Sequence, residues 1–219
     1  MIDLGRDKQV RMLNFLGALS RRVRASWLRI ATVLCLSYVV MEVFSDDPEI
    51  EVVLGEPWEE MRQRSTASIS AAIPGHVGGF SPKSNASFRL VDEQFGFVTP
   101  STNFLIVGFD NERVDSVLIH PHKKPLSMDD ALEVVSGLQS QWARGGWFSV
   151  SPKERPPILD TPEWRAKLHD SAIVTYWQAA DKYQVMLIMH RFGETDDSDA
   201  RYRIIVSLAK PWVSGEIDR

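Results

Sequence analysis

The sequence predicts an α+β domain in which helices pack on an antiparallel β-sheet, preceded by one N-terminal transmembrane helix. Three observations lead to this fold class. Residues 26–44 form a nearly continuous apolar run. Along the rest of the chain, helix signals are followed by short β-like segments, twice over. The last such segment, residues 202–210, alternates apolar and polar side chains, as expected of a strand with one face on a core.

The apolar run has 19 residues, close to the ~20 that an α-helix needs to cross ~30 Å of hydrocarbon. Arg29 and Glu42 lie near its two ends, where charged side chains can reach the lipid headgroups at low cost. Two alternatives stay open: a cleaved signal peptide, and a buried core helix of a soluble protein over residues 30–41.

Charge predicts the orientation of this span. Residues 1–44 carry seven basic and three acidic side chains, and Arg21, Arg22 and Arg24 come just before the apolar run. Because basic residues stay on the cytoplasmic side, we expect residues 1–25 in the cytoplasm, residues 26–44 in the inner membrane and residues 45–219 in the periplasm.

The predicted outer domain is acidic and free of disulfides. The chain beyond residue 44 carries 18 basic and 26 acidic side chains, and this excess of negative charge disfavours nucleic acid as a partner. The single cysteine, Cys35, lies in the predicted span, so no intrachain disulfide can form. About 170 residues are enough to build a core by packing alone.

The first half of the outer domain, residues 50–122, is predicted to contain one helix and four strands. Residues 45–49 are expected to be a linker, and a helix begins near Pro57 at the first helical position, with acidic residues in its first turn. Residues 70–87 are rich in Gly, Ser and Pro, which predicts a long loop. The predicted strands are 87–91, 95–99, 104–109 and 114–120, the last two forming a hairpin.

The second half, residues 126–212, repeats the order of helices followed by strands. Ser127 is the predicted N-cap of a helix that Gly145 and Gly146 end, and Thr161-Pro162 begins a shorter helix. The predicted strands are 172–178, 183–192 and 202–210. The two halves could form a degenerate repeat of a helix and a β-meander, although they share no sequence identity.

Four segments of the first half resemble small envelope lipoproteins of the SmpA/OmlA type. They are V-L-G at 53–55, E-E-M-R at 59–62, F-L-I-V-G-F-D at 104–110 and V-D-S-V at 114–117. The resemblance covers residues 50–120 and implies a protein-binding module of the cell envelope without enzyme activity. This chain departs from that family in lacking a lipid-attachment motif and in having a large C-terminal addition.

Three patterns could carry chemistry, and each has a simpler explanation. His120-Pro121-His122 offers two imidazoles but no completing ligand, so we expect a strand-to-helix loop. Residues 194–199 alternate acids without the glycine and distal glutamate of a calcium loop, which predicts a solvated hairpin turn. Residues 75–79 are glycine-rich but lack the Gly-Lys-Ser/Thr of a phosphate loop. The sequence therefore predicts no enzyme, no cofactor and no metal site.

Two features are predicted to contact a protein partner. Trp147 follows a glycine pair, where a side chain can protrude, and aromatic residues are common at binding hot spots. The acidic turn could meet a basic partner. Its acidic residues are Glu194, Asp196, Asp197 and Asp199.

These observations predict a membrane-tethered periplasmic protein-binding module, first of all an immunity protein that occludes a secreted toxin. The layout is similar to that of membrane-anchored periplasmic immunity proteins, and tethering would raise the local concentration of an inhibitor where the toxin acts. One alternative is a structural or assembly factor of the cell envelope. A third class, less favoured, is an enzyme that acts on envelope substrates.

Overall fold

The structure is a computed structural model that describes residues 47–193 and 200–214, and it confirms an α+β fold with helices packed on antiparallel sheets. The helices of the described residues are α1 (Trp58–Arg64), α2 (Met128–Arg144) and α3 (Pro162–Asp170). The strands are β1 (Glu49–Val52), β2 (Val77–Phe80), β3 (Ala86–Leu90), β4 (Phe97–Thr102), β5 (Leu105–Asp110), β6 (Arg113–Ile119), β7 (Phe148–Ser149), β8 (Ile173–Ala179), β9 (Tyr183–Phe192) and β10 (Arg201–Ala209).

The predicted transmembrane segment, residues 26–44, lies outside the described residues. Within the described part of the chain, none of the helices is long and apolar enough to cross a membrane.

Two sheets organise the domain. Seven strands form one antiparallel sheet in the order β2-β5-β6-β10-β9-β8-β7. A smaller sheet has the order β1-β3-β4, in which β1 runs parallel to β3. Strands from both predicted halves share the large sheet, because β6 pairs with β10. The predicted hairpin of β5 and β6 is confirmed, with a bulge between Gly108 and Phe109.

Helix α2 lies between the two sheets, in contact with β10 and β4. The Ser127 hydroxyl accepts a hydrogen bond from the Asp130 N–H at 3.1 Å, and Gly145 caps the C-terminus, as predicted. Its apolar residues recur every three or four positions, so one face is buried against both sheets. The buried face contains Leu132, Val135, Leu138 and Trp142.

The other two helices begin near the predicted residues. Pro57 is the N-cap of α1 and not its first helical residue, a shift of one position. The Thr161 hydroxyl accepts from the Trp164 N–H at 3.4 Å and Pro162 opens α3, both as predicted.

Three strands occupy segments that the sequence did not predict as β-structure, and the two-residue β7 is one of them. Glu49 was expected in a linker but begins β1. The predicted loop 70–87 was wrong over residues 77–80, where Val-Gly-Gly-Phe forms β2 against β5. A Cβ on Gly79 would lie 2.9 Å from Cγ2 of Ile106, so glycine permits the close approach of the two strands.

Three glutamine side chains form hydrogen bonds with backbone groups that are not paired with another strand. Gln139 of α2 donates to the Ile158 carbonyl at 2.7 Å and accepts from its N–H at 2.9 Å. Gln141 makes the same pair of bonds with Val98 of β4, both at 3.0 Å. Gln184 of β9 accepts from the N–H groups of residues 212 and 213 and donates to the Val213 carbonyl at 2.8 Å.

Candidate interaction surface

The seven-stranded sheet has a core face and a second face, which we call the open face. Side chains alternate between the two along each strand. The core face of β10 carries buried residues such as Ile204 and Val206. The buried residues of all three helices join these in one continuous core. No residue of that core, nor any partly buried residue packed against it, comes from the open face of β5, β6, β8, β9 or β10.

Strand register places the apolar side chains of the open face in two adjacent rows, which we call the apolar band. The first row runs Ile106, Leu118, Ser207, Met186, Tyr176 from β5 to β8. The second row runs Ile205, Ile188, Val174 from β10 to β8. All of these side chains are half-buried, because on a flat sheet neighbouring side chains cover part of each other. The apolar band is therefore a half-buried surface at the centre of the sheet, outside the hydrophobic core.

One end of the open face is cationic and aromatic. The Arg203 guanidinium carbon lies 3.5 Å from the centre of the Phe192 ring, and Arg203 is the register partner of His190. The His120 ring stacks on Phe104, with centroids 4.1 Å apart. Among the described residues, neither the row of His190 and Arg203 nor the apolar band contains an acidic residue. Arg203 would therefore attract anionic groups of a partner.

Two imidazoles at this end, those of His120 and His122, have pKa values lowered from the ordinary 6.5. Burial, together with the neighbouring His122, Arg203 and His190, lowers the pKa of His120 to about 4. Burial is also the largest cause that lowers the pKa of His122, with Arg203 acting in the same direction. His122 Nε2 accepts a hydrogen bond from the Ile204 N–H at 3.1 Å, which only an unprotonated nitrogen can do.

His122 fastens the loop after β6 to β10. The predicted strand-to-helix loop is observed, and an antiparallel bridge between Leu126 and Tyr202 continues the contact that His122 begins. Among the described residues, no group of three His, Cys, Asp or Glu side chains is arranged to hold a metal ion.

The opposite end of the open face is small, polar and partly covered. Gln184 is fully buried there because the segment at residues 211–213 folds over it. Trp212 makes an edge contact with Tyr176, with ring centroids 6.2 Å apart. The Arg155 guanidinium lies 5.0 Å from the centre of the same tyrosine ring. Because residues 211–213 cover this polar end, the apolar band and the cationic end are the parts of the open face that they leave uncovered.

The expectation that Trp147 protrudes into solvent is wrong, since its side chain is only 4% exposed. Gly146 adopts a φ of 80° and turns the chain back toward the core. The indole N–H then donates to the Phe95 carbonyl at 3.1 Å, and the ring stacks on Tyr183 at 6.2 Å. Trp147 is a core residue in this structure and cannot contact a partner from there.

The predicted acidic contacts lie outside the described residues. They are Glu194, Asp196, Asp197 and Asp199. Their position in the chain, between β9 and β10, follows from the two flanking strands.

A cleft of about 280 Å³ lies on the other side of the molecule, between α2 and the segment 157–160. Leu132, Ile158 and Trp177 line it, and Asp160 is the ionisable side chain at its wall. That carboxylate is already engaged, because Arg165 donates to both of its oxygens at 2.6 and 3.0 Å.

Sequence analysis missed the open face, although a signal was present. The outward positions of β8, β9 and β10 carry Val174, Ile188 and Ile205 where a solvated strand would carry polar residues. Two-sided apolar character in an antiparallel strand indicates a second buried or binding surface. Reading only the inward alternation of residues 202–210 concealed it.

Comparison of the chain with family models, with curated proteins and with solved structures found no match. The described residues thus form an α+β domain in which the side chains of the open face lie outside the hydrophobic core. Its resemblance to the SmpA/OmlA-type proteins stays a prediction.

Proposed function

We propose that the chain is a membrane-tethered periplasmic protein that binds a partner protein on its open face, and that it serves as an immunity protein against a secreted toxin. The single observation that carries the binding surface is the apolar band, which lies outside the core on a fully formed sheet. The tether and the compartment rest on the apolar run at residues 26–44 and on the charge asymmetry around it.

The apolar side chains of the band, and the polar side chains beside it, favour a protein as the partner. Contiguous apolar patches are uncommon on monomeric soluble proteins and mark interaction sites when polar groups surround them. Here Arg203 and His190 flank one side of the band, and Gln184 lies toward the other. A largely apolar surface flanked by polar side chains matches the apolar core and polar rim of a protein interface.

The charges on the open face indicate which charges the surface of the partner should carry. With the Arg203 guanidinium at one end and no acid among the described residues of the band, the complementary surface is apolar at its centre and acidic on one side. Occlusion is then the mechanism: a partner held on the sheet is kept from its target in the envelope. Tethering the inhibitor in the compartment where the toxin acts raises its effective concentration there.

The proposal is tested by deleting the gene and growing the deletion strain together with toxin-delivering sister cells. Deletion should sensitise the strain to one neighbouring toxin and to little else, and the parent chain supplied in trans should restore survival. Unchanged potency of every toxin would refute the immunity function. Permeability or assembly defects without any toxin would instead indicate an envelope assembly factor.

The compartment has its own test. Protease added to spheroplasts should digest the domain beyond residue 46 while the cells stay intact. A domain that remains undigested under those conditions would contradict a periplasmic location.

A further inference from the structure

The free edges of the sheets differ in how they are protected. The outer edge of β1 is closed by the segment after α1: Glu49 N–H donates to the Thr66 hydroxyl at 2.7 Å, and Glu51 N–H donates to the Ser65 hydroxyl at 3.0 Å. The outer edge of β4 is closed by Gln141, which pairs with both backbone groups of Val98. Such capping prevents edge-to-edge pairing with other chains.

The two outermost strands of the large sheet lack such caps and differ in length. Strand β7 has two residues, and the chain turns away at Ser151, whose φ is 54°. Strand β2 has four residues, Val-Gly-Gly-Phe, with no charge, proline or bulge in it. Val77 is 78% exposed, and both glycines are exposed as well. Among the described residues, no hydrogen bond reaches the outer edge of β2.

The register identifies the backbone groups that point outward from β2. The His76 carbonyl accepts from the Asn111 N–H at 3.3 Å, so His76 and Asn111 form a hydrogen-bonded pair. Pairs of this kind alternate along an antiparallel ladder, and Val77 and Gly79 therefore direct their N–H and C=O groups away from β5. Four backbone hydrogen-bonding groups are thus presented to an incoming strand.

We propose that β2 accepts an extended segment of the partner protein as an eighth strand of the large sheet, an inference that rests on the proposed partner binding. The Val77 side chain, and a Cβ if Gly79 had one, fall on the same side as Ile106, so an added strand would continue the open face beyond β5. Main-chain bonds supply affinity in this mode of recognition, and alternate side chains supply specificity.

A second copy of this chain fits the edge less well. Pairing two four-residue strands buries far less than the roughly 800 Å² per partner of a stable interface. A partner segment that also extends over the adjoining open face gains the remaining contact from the apolar band.

The test uses a phage-displayed library of linear random dodecapeptides, panned on the full-length chain in nanodiscs. Two variants at Val77 separate the contribution of its backbone N–H to peptide binding from that of its side chain. V77P removes an outward N–H that has no native partner and is tolerated at an edge, whereas V77T keeps the N–H and the β-forming shape. We expect the enriched peptides to alternate apolar residues and to bind V77P about tenfold more weakly than the parent chain and V77T.

Hydrogen–deuterium exchange locates the bound peptide. The Val77 and Gly79 amides should exchange more slowly when the selected peptide is present. Equal binding to V77P and to the parent chain, failure to enrich any peptide, or a Val77-dependent dimer in light scattering would overturn the inference. If V77P loses the peptide yet still protects cells from the toxin, the edge accepts strands but the toxin contact lies on the open face alone.

Discussion

The two faces of the seven-stranded sheet show how one set of strands can serve stability and binding separately. In β9, Leu187 is fully buried in the core, whereas its neighbour Ile188 lies half-exposed in the apolar band. Both are large aliphatic residues, and they differ only in which side of the strand they occupy. Hydrophobicity therefore contributes folding free energy on one face and remains available for a partner on the other.

Alanine substitution at these neighbouring positions should separate the two faces most strongly. Leu187→Ala is expected to lower the free energy of unfolding by about 2–5 kcal/mol, because it leaves a cavity in a fully packed core. Ile188→Ala should cost about 1 kcal/mol or less, since solvent fills the space that it leaves. Urea denaturation of the full chain in detergent measures both. Equal losses would show that the open face is covered in the folded protein.

Substitution of Gln184 tests whether the segment at residues 211–213 covers the polar end of the open face. Gln184→Ala should cost about 1–3 kcal/mol, because three hydrogen bonds to residues 212 and 213 are lost from a buried site. Gln184→Glu should cost at least as much, because a buried carboxylate would face the Val213 carbonyl and Gln178 Oε1, to which the amide now donates. If Gln184→Ala is as stable as the parent chain in the same denaturation assay, the C-terminal segment does not cover this end.

The cationic end predicts a pH dependence that the core face lacks. In the folded state the pKa values of His120 and His122 are lowered from the ordinary 6.5, to about 4 for His120. The unfolded chain therefore binds more protons below pH 6.5, and stability should fall as the pH drops from about 6.5 toward 4. We expect a loss on the order of 1 kcal/mol, reduced by partial solvent screening.

Two variants test whether this pH dependence comes from the hydrogen bond between His122 and the Ile204 N–H. His122→Gln keeps an acceptor for the Ile204 N–H and does not titrate, so its stability should vary less with pH than that of the parent chain. His76→Gln, at an exposed histidine outside the cationic end, serves as the matched control substitution. Identical profiles for the parent chain and His122→Gln would contradict the assignment.

Local signals predicted the elements whose limits are set locally. Ser127 and Gly145 define α2 through capping, and the alternation of β9 gave its limits as residues 183–192. Strand β2 could not be predicted because two glycines give it little β-propensity, and only its pairing with β5 makes it a strand.

The exposure of the candidate binding residues could not be predicted locally, because it depends on which segments pack against them. A glycine pair before Trp147 is compatible with an exposed or a buried ring, and the position of the Phe95 carbonyl decides between them. Likewise, apolar residues on both sides of β9 do not show which side the helices cover. That choice follows from where α2 and α3 pack, which no local pattern in the chain specifies.

The most direct test of the open face compares two lysine substitutions in the competition assay with toxin-delivering cells. Ile188→Lys places a charge in the centre of the apolar band, and Glu133→Lys changes an exposed residue of α2 away from the sheet. Both variants should fold, with losses of less than about 1.5 kcal/mol. If the account is correct, Ile188→Lys no longer protects the deletion strain while Glu133→Lys protects it fully; equal protection by the two would contradict it.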